Sequence, residues 1–564
     1  MAANASMSQA NVGLRLTETA RANPAGIAVA MPRGRDAAGK RIYETLSFQQ
    51  LDEDSSHLAH GLWSLGVRPG ARLVLMVPPS LDFFALVFAM FKAGVVTVLI
   101  DPGMGRRNLI QCLAETKPEG FIGVPLAHAM RMLLWWRFRF AKYNVTVGRR
   151  WFWGGATIRQ LRGRPKANFA PFVAQADDPA AIIFTTGSTG PPKGVLYRHG
   201  NFSRQVDELR DFYGIQPSEI DLPGFPLFAL FNCAMGVTTV VPDMDPTRPA
   251  AVDPLKIVEA IGDWNVTQAF GSPALWNVVG RHCERNEIVL PTLRRVLSAG
   301  APVPPHILRR MKNAIPPDGD VHTPYGATEA LPVASIAASE VLASTAAQSA
   351  LGAGTCVGRR FPGIEWQVIE INDGPISTLR EAVCLPPGEI GELIVRGPVV
   401  TSEYVTRVDC NPLHKIRDGQ TIWHRMGDVG YLEVAPGGDT SGQRFWFCGR
   451  KSHRVLTENG VLYTIPCEAI FNQHDHIYRS ALVGVGPPPR QRPVIIVEPW
   501  PEKRPRAASD ELQLIQELRH LGQQHSHTRD IRDFFIRESL PVDIRHNAKI
   551  FREQLAVWAA RKLT

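Results

Sequence analysis

The sequence predicts an α/β protein with a large body, a β-rich stretch and a small terminal unit. Three observations carry this. β-branched apolar runs alternate with helical patterns through the first part of the chain, which favours parallel sheet covered by helices. From Ile364 to about Trp446 the texture changes to short strands with Gly/Pro punctuation. After Gly449-Arg450 a unit with its own strands and helix follows, and 564 residues exceed one core, at roughly 150 residues per domain.

In order, Leu73 to Val77 reads as a strand, Phe83 to Lys92 as a buried helix and Val95 to Ile100 as a β-branched strand, with a further helix after Asp101-Pro102-Gly103. The window from Phe83 to Ile100 is the most apolar of the chain, but Lys92 and Ala93-Gly94 break it into helix and strand, so no transmembrane span is required. Ala181 to Phe184 is a strand. In the β-rich stretch Glu392 to Arg396 is a strand, and Pro386-Pro387-Gly388 and Pro436-Gly437-Gly438 are turns. The terminal unit has strands Ser480 to Val485 and Val494 to Val497, a turn at Pro487-Pro488-Pro489 and a helix from Ser509 to His520. No repeat of solenoid or propeller period occurs.

Hydrophobic residues at 45% and charged residues at 20% place the chain among globular proteins. A net charge of +9, spread over this length, selects neither anionic substrate nor membrane nor nucleic acid. The eight cysteines show no C-x-x-C pair, and the N-terminus lacks the basic start and apolar run of a signal peptide. A cytoplasmic protein with reduced thiols is expected.

One stretch is out of character. Met130 to Tyr143 interleaves Trp135, Trp136, Phe138 and Phe140 with Arg131, Arg137, Arg139 and Lys142, and Arg149-Arg150-Trp151-Phe152-Trp153 follows. A core helix with snorkelling arginines is the plainest expectation; a contact with membrane or acyl chain, or with a protein partner, are the others. No nucleic-acid module surrounds it, and no nucleic-acid partner is expected.

Chemistry concentrates at Thr185-Thr186-Gly187-Ser188-Thr189-Gly190-Pro191-Pro192-Lys193-Gly194-Val195, directly after the Ala181 to Phe184 strand. Glycines let backbone N–H groups approach an anion, hydroxyls add donors and Lys193 adds a cation, which makes a phosphate-cradling loop. Neither Walker A spacing nor a G-x-S-x-G elbow is present.

This loop resembles the signature of the adenylate-forming superfamily of acyl-CoA synthetases, luciferases and peptide-synthetase adenylation domains, with one extra proline. Further matches follow in the family's order: Ser298-Ala299-Gly300-Ala301-Pro302, Tyr325-Gly326-Ala327-Thr328-Glu329, Gly391-Glu392-Leu393, Met426-Gly427-Asp428, Gly449-Arg450-Lys451-Ser452 and, near the end, Asn547-Ala548-Lys549-Ile550 with Arg552. The resemblance implies a body of two α/β lobes plus the β-rich subdomain over residues 1–450, binding ATP and acyl substrate, and a mobile α+β lid over 451–564. It implies an adenine pocket at Gly300, Ala301, Pro302, Tyr325 and Gly326, phosphate contacts from Thr185 to Gly190, Lys193 and Thr328, and Mg²⁺ on Glu329. It further implies a ribose anchor at Asp428, with Arg450 beside the joint, and Lys549 as the mobile catalytic lysine.

Joining a carboxylate to the α-phosphorus of ATP gathers negative charge on a five-coordinate transition state, so cations and donors must be aimed there. Lys549, Thr328 and Mg²⁺ on Glu329 are the implied suppliers, while the loop around Ser188 and Lys193 holds the departing pyrophosphate. His199 follows the loop; a packing or capping role is preferred to proton transfer, and Asn201 is read as a helix N-cap. Pro226-Leu227-Phe228-Ala229-Leu230-Phe231 resembles the acyl-pocket region, where Ala229 replaces a common histidine.

The segment after the joint departs from the family. Thr457 stands where Lys is usual and Leu462 where Arg is usual, and one extra residue separates Gly460 from Pro466. That segment helps line the thiol route in enzymes making CoA esters. Together with Gly190 to His199, Thr323 to Val333 and Arg545-His546-Asn547, these departures resemble the bacterial β-lactone synthetases of olefin biosynthesis. That resemblance implies a long-chain 2-alkyl-3-hydroxy acid substrate, closure by its own 3-hydroxyl, and partners in a thiolase, a reductase and a β-lactone decarboxylase. The base for the hydroxyl proton stays open among the AMP phosphate, His199 and water. A medium- or long-chain acyl-CoA or acyl-AMP ligase and a silent lipid-binding protein are the other readings.

Overall fold

Four parallel strands, Arg72–Met76, Val96–Leu99, Gly120–Gly123 and Tyr143–Thr146, start from the β-branched and apolar runs of the first lobe. With Ala156–Thr157, Pro179–Phe184 and the antiparallel Gly194–Arg198 they form a seven-stranded sheet in the computed structural model, which describes residues 10–163, 169–185, 191–434, 442–542 and 549–563. The helix Leu81–Lys92 is buried around its whole circumference because it lies between sheets. Its core neighbours include Leu73 and Leu75 from this sheet and Ala28 and Val29 from a second one. Lys92 ends the helix fully buried, its ammonium donating to Asp52 Oδ1 at 2.6 Å and to the hydroxyls of Ser55 and Ser56.

The second sheet has fourteen strands among the described residues. Its centre is parallel, running through Ile220–Pro223, Gln268–Gly271, Arg295–Ser298 and Asp320–Ala327. The antiparallel hairpin Asp320–Ala327 and Ala330–Ala337 then switches direction, and the short strands read from 364 to 446 continue the same sheet through Thr355–Arg360. The joining pairs are Ala334 with Arg360 and Ser335 with Arg359. This sheet ends its chain path at Arg450.

Beyond it, Ile477–Val485, Arg492–Pro499 and Asp533–Ile536 form a separate three-stranded sheet with the helices Thr464–Phe471, Ala508–Gln523 and Arg552–Leu563. This unit meets the rest through specific contacts. Lys451 Nζ lies 3.1 Å from Glu392, Arg454 pairs with Asp373, Gln473 donates to the Ala350 carbonyl and the His527 ring closes on Gly352. Among the described residues no helix is long and apolar enough to cross a membrane.

The segment 130–153 does not form the core helix expected of it. A helix covers Pro125–Leu133, tight turns follow to 141, and most of the aromatic rings stand exposed, with Phe138 and Trp153 alone of the set fully buried. The end of the segment is the strand Tyr143–Thr146 instead, because its backbone pairs with Gly120–Gly123.

Candidate active site

The parallel strands of the large sheet deliver their C-terminal ends side by side, the usual place for a ligand crevice. Gly300, Ala301 and Pro302 follow the strand Arg295–Ser298, and Gly300 takes φ +98°, a left-handed conformation that suits glycine. Tyr325 and Gly326 lie on the adjoining strand Asp320–Ala327. Thr328 and Glu329 are the two-residue turn between Ala327 and its partner Ala330, so the hairpin itself presents them.

The aromatic hydroxyl of Tyr325 donates to Asp428 Oδ2 at 2.5 Å, and Arg450 Nη1 lies 2.8 Å from Asp428 Oδ1. Asp428 and Arg450 are register partners on neighbouring strands, which explains why residues 22 apart in sequence meet. Burial pushes the Asp428 carboxyl above its ordinary value, against the opposing pull of Arg450 and the Tyr325 hydrogen bond; Asp428 in turn raises Arg450. Three residues expected at one nucleotide site are thus in direct contact.

A second set surrounds Glu329, which is nearly buried. Tyr404 donates to Glu329 Oε1 at 2.5 Å, the Lys193 ammonium sits 5.3 Å from the centre of the Tyr404 ring, and the Lys415 ammonium lies 5.6 Å from the same ring. Thr401 holds the backbone of Glu329, donating to its carbonyl from both amide and hydroxyl at 2.9 Å, and Lys415 donates to the Thr401 carbonyl. Burial pulls Lys415 down to about 7, and burial together with the nearby cations Lys193, Lys451 and Lys415 pulls His414 down to about 3. A carboxylate backed by a phenol hydroxyl is the hard oxygen chemistry that suits Mg²⁺, which takes one or two carboxylates and leaves other positions to phosphate and water. Among the described residues no cluster of three or more His, Cys, Asp or Glu forms an all-protein metal cage.

The loop itself is closed at its base. The Lys193 amide donates to Thr185 Oγ1 and the Thr185 amide to the Lys193 carbonyl, each at 3.0 Å. Thr186, Gly187, Ser188, Thr189 and Gly190 lie outside the described residues. After the loop, the Gly194 amide donates to Thr406 Oγ1 at 2.7 Å and Val195 bridges to Tyr404, so strand Gly194–Arg198 ties the loop to the Tyr404 segment. Tyr197 donates to the Thr328 carbonyl at 2.6 Å and adds a second tie.

His199 has no exposed surface. Its Nδ1 accepts from the Val12 amide at 3.3 Å, its ring packs on Phe91, and burial lowers it to about 4. Asn201 is not an N-cap: the helix His199–Tyr213 starts two residues earlier, and Asn201 instead accepts from the Arg198 amide and donates to the Pro398 carbonyl. In the stretch expected to line the acyl pocket, the Phe228 ring lies tilted by 31° against Phe270 with centroids 4.1 Å apart and has Phe225 and Phe231 as neighbours, while Ala229 is buried.

Lys549 belongs to the terminal unit, beside the bridge between Val542 and Ile550. Three residues on, Arg552 is clamped by the buried Glu468 at 2.6 and 3.1 Å, which anchors the terminal motif to helix Thr464–Phe471. Arg545, His546, Asn547 and Ala548 lie outside the described residues. Tyr404, Thr401 and Lys415 were absent from the sequence expectations because no motif spacing marks them; only the pairing of distant segments puts them at Glu329.

The model of the AMP-binding enzyme family matches residues 16–405. The chain is 47% identical over 560 residues to the olefin beta-lactone synthetase of Xanthomonas campestris pv. campestris, covering 98% of each. It is 47% identical over 562 residues to the enzyme of the same name from Stenotrophomonas maltophilia, again covering 98% of each. Among solved structures, the amide bond synthetase McbA of Marinactinospora thermotolerans superposes with a TM-score of 0.77 at 22% identity, over 98% of this chain and 99% of that one, a likeness of fold. Phosphate-type loop, Tyr325–Asp428–Arg450 contact and full-length similarity converge, and the chain belongs to the AMP-binding enzyme family.

Proposed function

We propose that this chain is an ATP-dependent β-lactone synthetase. It activates the carboxylate of a long-chain 2-alkyl-3-hydroxyalkanoic acid at the α-phosphorus of ATP, releasing diphosphate; the 3-hydroxyl oxygen then attacks the acyl carbon, releasing AMP and leaving a cis-β-lactone. The observation that carries this reading is the 47% identity over 98% of the chain to two relatives named olefin beta-lactone synthetase. The relatives named CoA ligases that match here are more distant, such as the long-chain-fatty-acid–CoA ligase of Salmonella typhimurium at 23% over 78% of the chain.

In this reading Gly300, Ala301, Pro302, Tyr325 and Gly326 hold the adenine, Asp428 and Arg450 the ribose, and Thr185 to Gly190 with Lys193 and Thr328 the phosphates. Glu329 would hold Mg²⁺, whose charge offsets that of the phosphates. Tyr404 orients the Glu329 carboxylate, and Lys193, held against the Tyr404 ring, presents its cation to the leaving diphosphate. Residues 1–450 act as the body and 451–564 as a lid that swings about Lys451-Ser452 to bring Lys549 to the α-phosphate. Ring closure needs the hydroxyl held against the acyl carbonyl and water kept out, which the apolar wall around Phe228 and Phe270 serves. His199, buried and already accepting from Val12, serves packing rather than proton transfer. The pathway partners are a reductase and a β-lactone decarboxylase, and the eight unpaired cysteines accord with a cytoplasmic setting.

The test is product analysis of the purified protein given ATP, Mg²⁺ and a synthetic 2-alkyl-3-hydroxy fatty acid without CoA. β-Lactone ring protons in the NMR spectrum, with AMP and diphosphate, are expected. Substrate consumed only when CoA is added, as a thioester, would replace this reading with an acyl-CoA ligase.

A further inference from the structure

From residue 120 to residue 176 the chain contains no Asp or Glu, yet between residues 131 and 150 it carries Arg131, Arg137, Arg139, Lys142, Arg149 and Arg150. The same span holds the molecule's exposed aromatic surface. Among the described residues, five of the six exposed Phe and Trp side chains are Trp135, Trp136, Phe140, Trp151 and Phe152, the sixth being Phe212. Leu133 at 74% exposure and Phe152 at 83% are more open than a folded chain needs to leave them.

The topology gathers these residues at one edge. Helix Pro125–Leu133 and the turns to 141 join strand Gly120–Gly123 to Tyr143–Thr146, and residues 147–155 join Tyr143–Thr146 to the terminal strand Ala156–Thr157. Both connections therefore flank the outermost strands of the seven-stranded sheet, and they meet at a cavity of about 470 Å³ whose lining includes Lys142 from one and Arg150 from the other. Thr185 follows strand Pro179–Phe184, which lies four strands from Tyr143–Thr146, or roughly 19 Å at one strand spacing each.

We propose that this edge docks the protein onto an anionic phospholipid surface. Three features select a bilayer over a protein partner. Its charge is of one sign, complementary to anionic lipid headgroups. Phe138 turns into the core, and the exposed cations Arg137 and Arg139 stand directly beside the exposed rings of Trp136 and Phe140, so charge lies within the aromatic surface rather than on a distant rim. Tryptophan rings flanked by guanidinium groups match the layering of a bilayer interface, rings at the level of the acyl–headgroup boundary and cations at the phosphates. The cavity between Lys142 and Arg150 would seat one headgroup phosphate. Docking here leaves Thr185 and Lys193, at the far strands of the seven-stranded sheet, free, and on the proposed function places the enzyme where a two-chain lipophilic acid would be dissolved.

The test is cosedimentation of the full chain with vesicles of phosphatidylcholine alone or of phosphatidylcholine mixed with phosphatidylglycerol, without substrate or nucleotide, so that its outcome is independent of the reaction catalysed. Wild type should pellet with the mixed vesicles, weakly with phosphatidylcholine, and less as salt is raised. Arg137→Gln/Arg139→Gln/Arg149→Gln should weaken binding roughly hundredfold, and Trp135→Ser/Trp136→Ser/Phe152→Ser at least about tenfold. Both variants should keep the melting temperature and ATP turnover of wild type; if the aromatic variant fails to fold, the arginine variant, which removes no apolar packing, decides. Wild type left in the supernatant with both vesicles, or variants that pellet as wild type does, would overturn the proposal. So would an oligomer seen by light scattering that the aromatic substitutions dissociate while vesicle binding is unchanged.

Discussion

Tyr404 donates its phenolic hydrogen to Glu329 over 2.5 Å, although 75 residues separate them. The contact exists because Val195, next to the loop's end, bridges to Tyr404, while Thr401 grips the Glu329 backbone. Burial and the neighbouring Glu329 carboxylate both raise the Tyr404 hydroxyl, so it stays a donor across the working pH range. Tyr404→Phe removes one hydrogen bond to a charged group without changing shape. Activity in ATP–pyrophosphate exchange should fall about tenfold to hundredfold, with a higher Mg²⁺ requirement, and the melting temperature should move little. Exchange equal to wild type at limiting Mg²⁺ would remove Tyr404 from the site.

Lys415 gives a pH signature. Its value in the folded protein, about 7, lies below the ordinary 10.5 because burial disfavours the charged form. Between those values the unfolded chain binds the proton that the folded one has lost, so stability rises with pH through the window; below about pH 7 the buried charge is carried in full. Lys415→Met should flatten that rise. Urea denaturation of both proteins at several pH values across the window checks it, and parallel curves would show that Lys415 does not titrate there.

Glu392 and Arg425 are both buried and lie 2.6 Å apart, and Lys451 donates at 3.1 Å to the same carboxylate oxygen, Glu392 Oε2. Glu392→Gln leaves the Arg425 guanidinium without its counter-charge in the interior. A loss of about 3–5 kcal/mol is expected, measurable by denaturation. Because Lys451 directly follows Arg450, where the large sheet ends, the same substitution should also increase proteolysis around Ser452; unchanged cleavage would separate core stability from the Lys451 contact.

Lys549→Ala removes the cation assigned to the α-phosphate. Adenylate formation should drop by roughly a hundredfold to a thousandfold, the scale of losing one aligned donor to a transition-state charge. ATP binding measured by calorimetry should persist, since the Tyr325–Asp428–Arg450 contact does not involve the terminal unit's lysine. Near wild-type adenylation would end this assignment.

The elements that the sequence determined alone are those whose causes are local. Alternating β-branched runs and apolar helices fix the strand Arg72–Met76, the helix Leu81–Lys92 and the strand Val96–Leu99, because burial of each follows from its own periodicity. Glycine-rich spacing with Lys193 points to a phosphate-cradling loop in the same way, while the Tyr325 to Glu329 string speaks through its resemblance to the adenylate-forming superfamily. Tertiary structure decided what depends on pairing across distance. Strand register joined Asp428 to Arg450, the bridge from Val195 brought Tyr404 to Glu329, and the place of Tyr143–Thr146 next to the edge strand Ala156–Thr157 left Trp135, Trp136 and Trp151 in the flanking turns uncovered where a core helix was expected. A side chain's chemical type is written in its residue, but whether it is buried, paired or open to a surface is set by which strand becomes its neighbour.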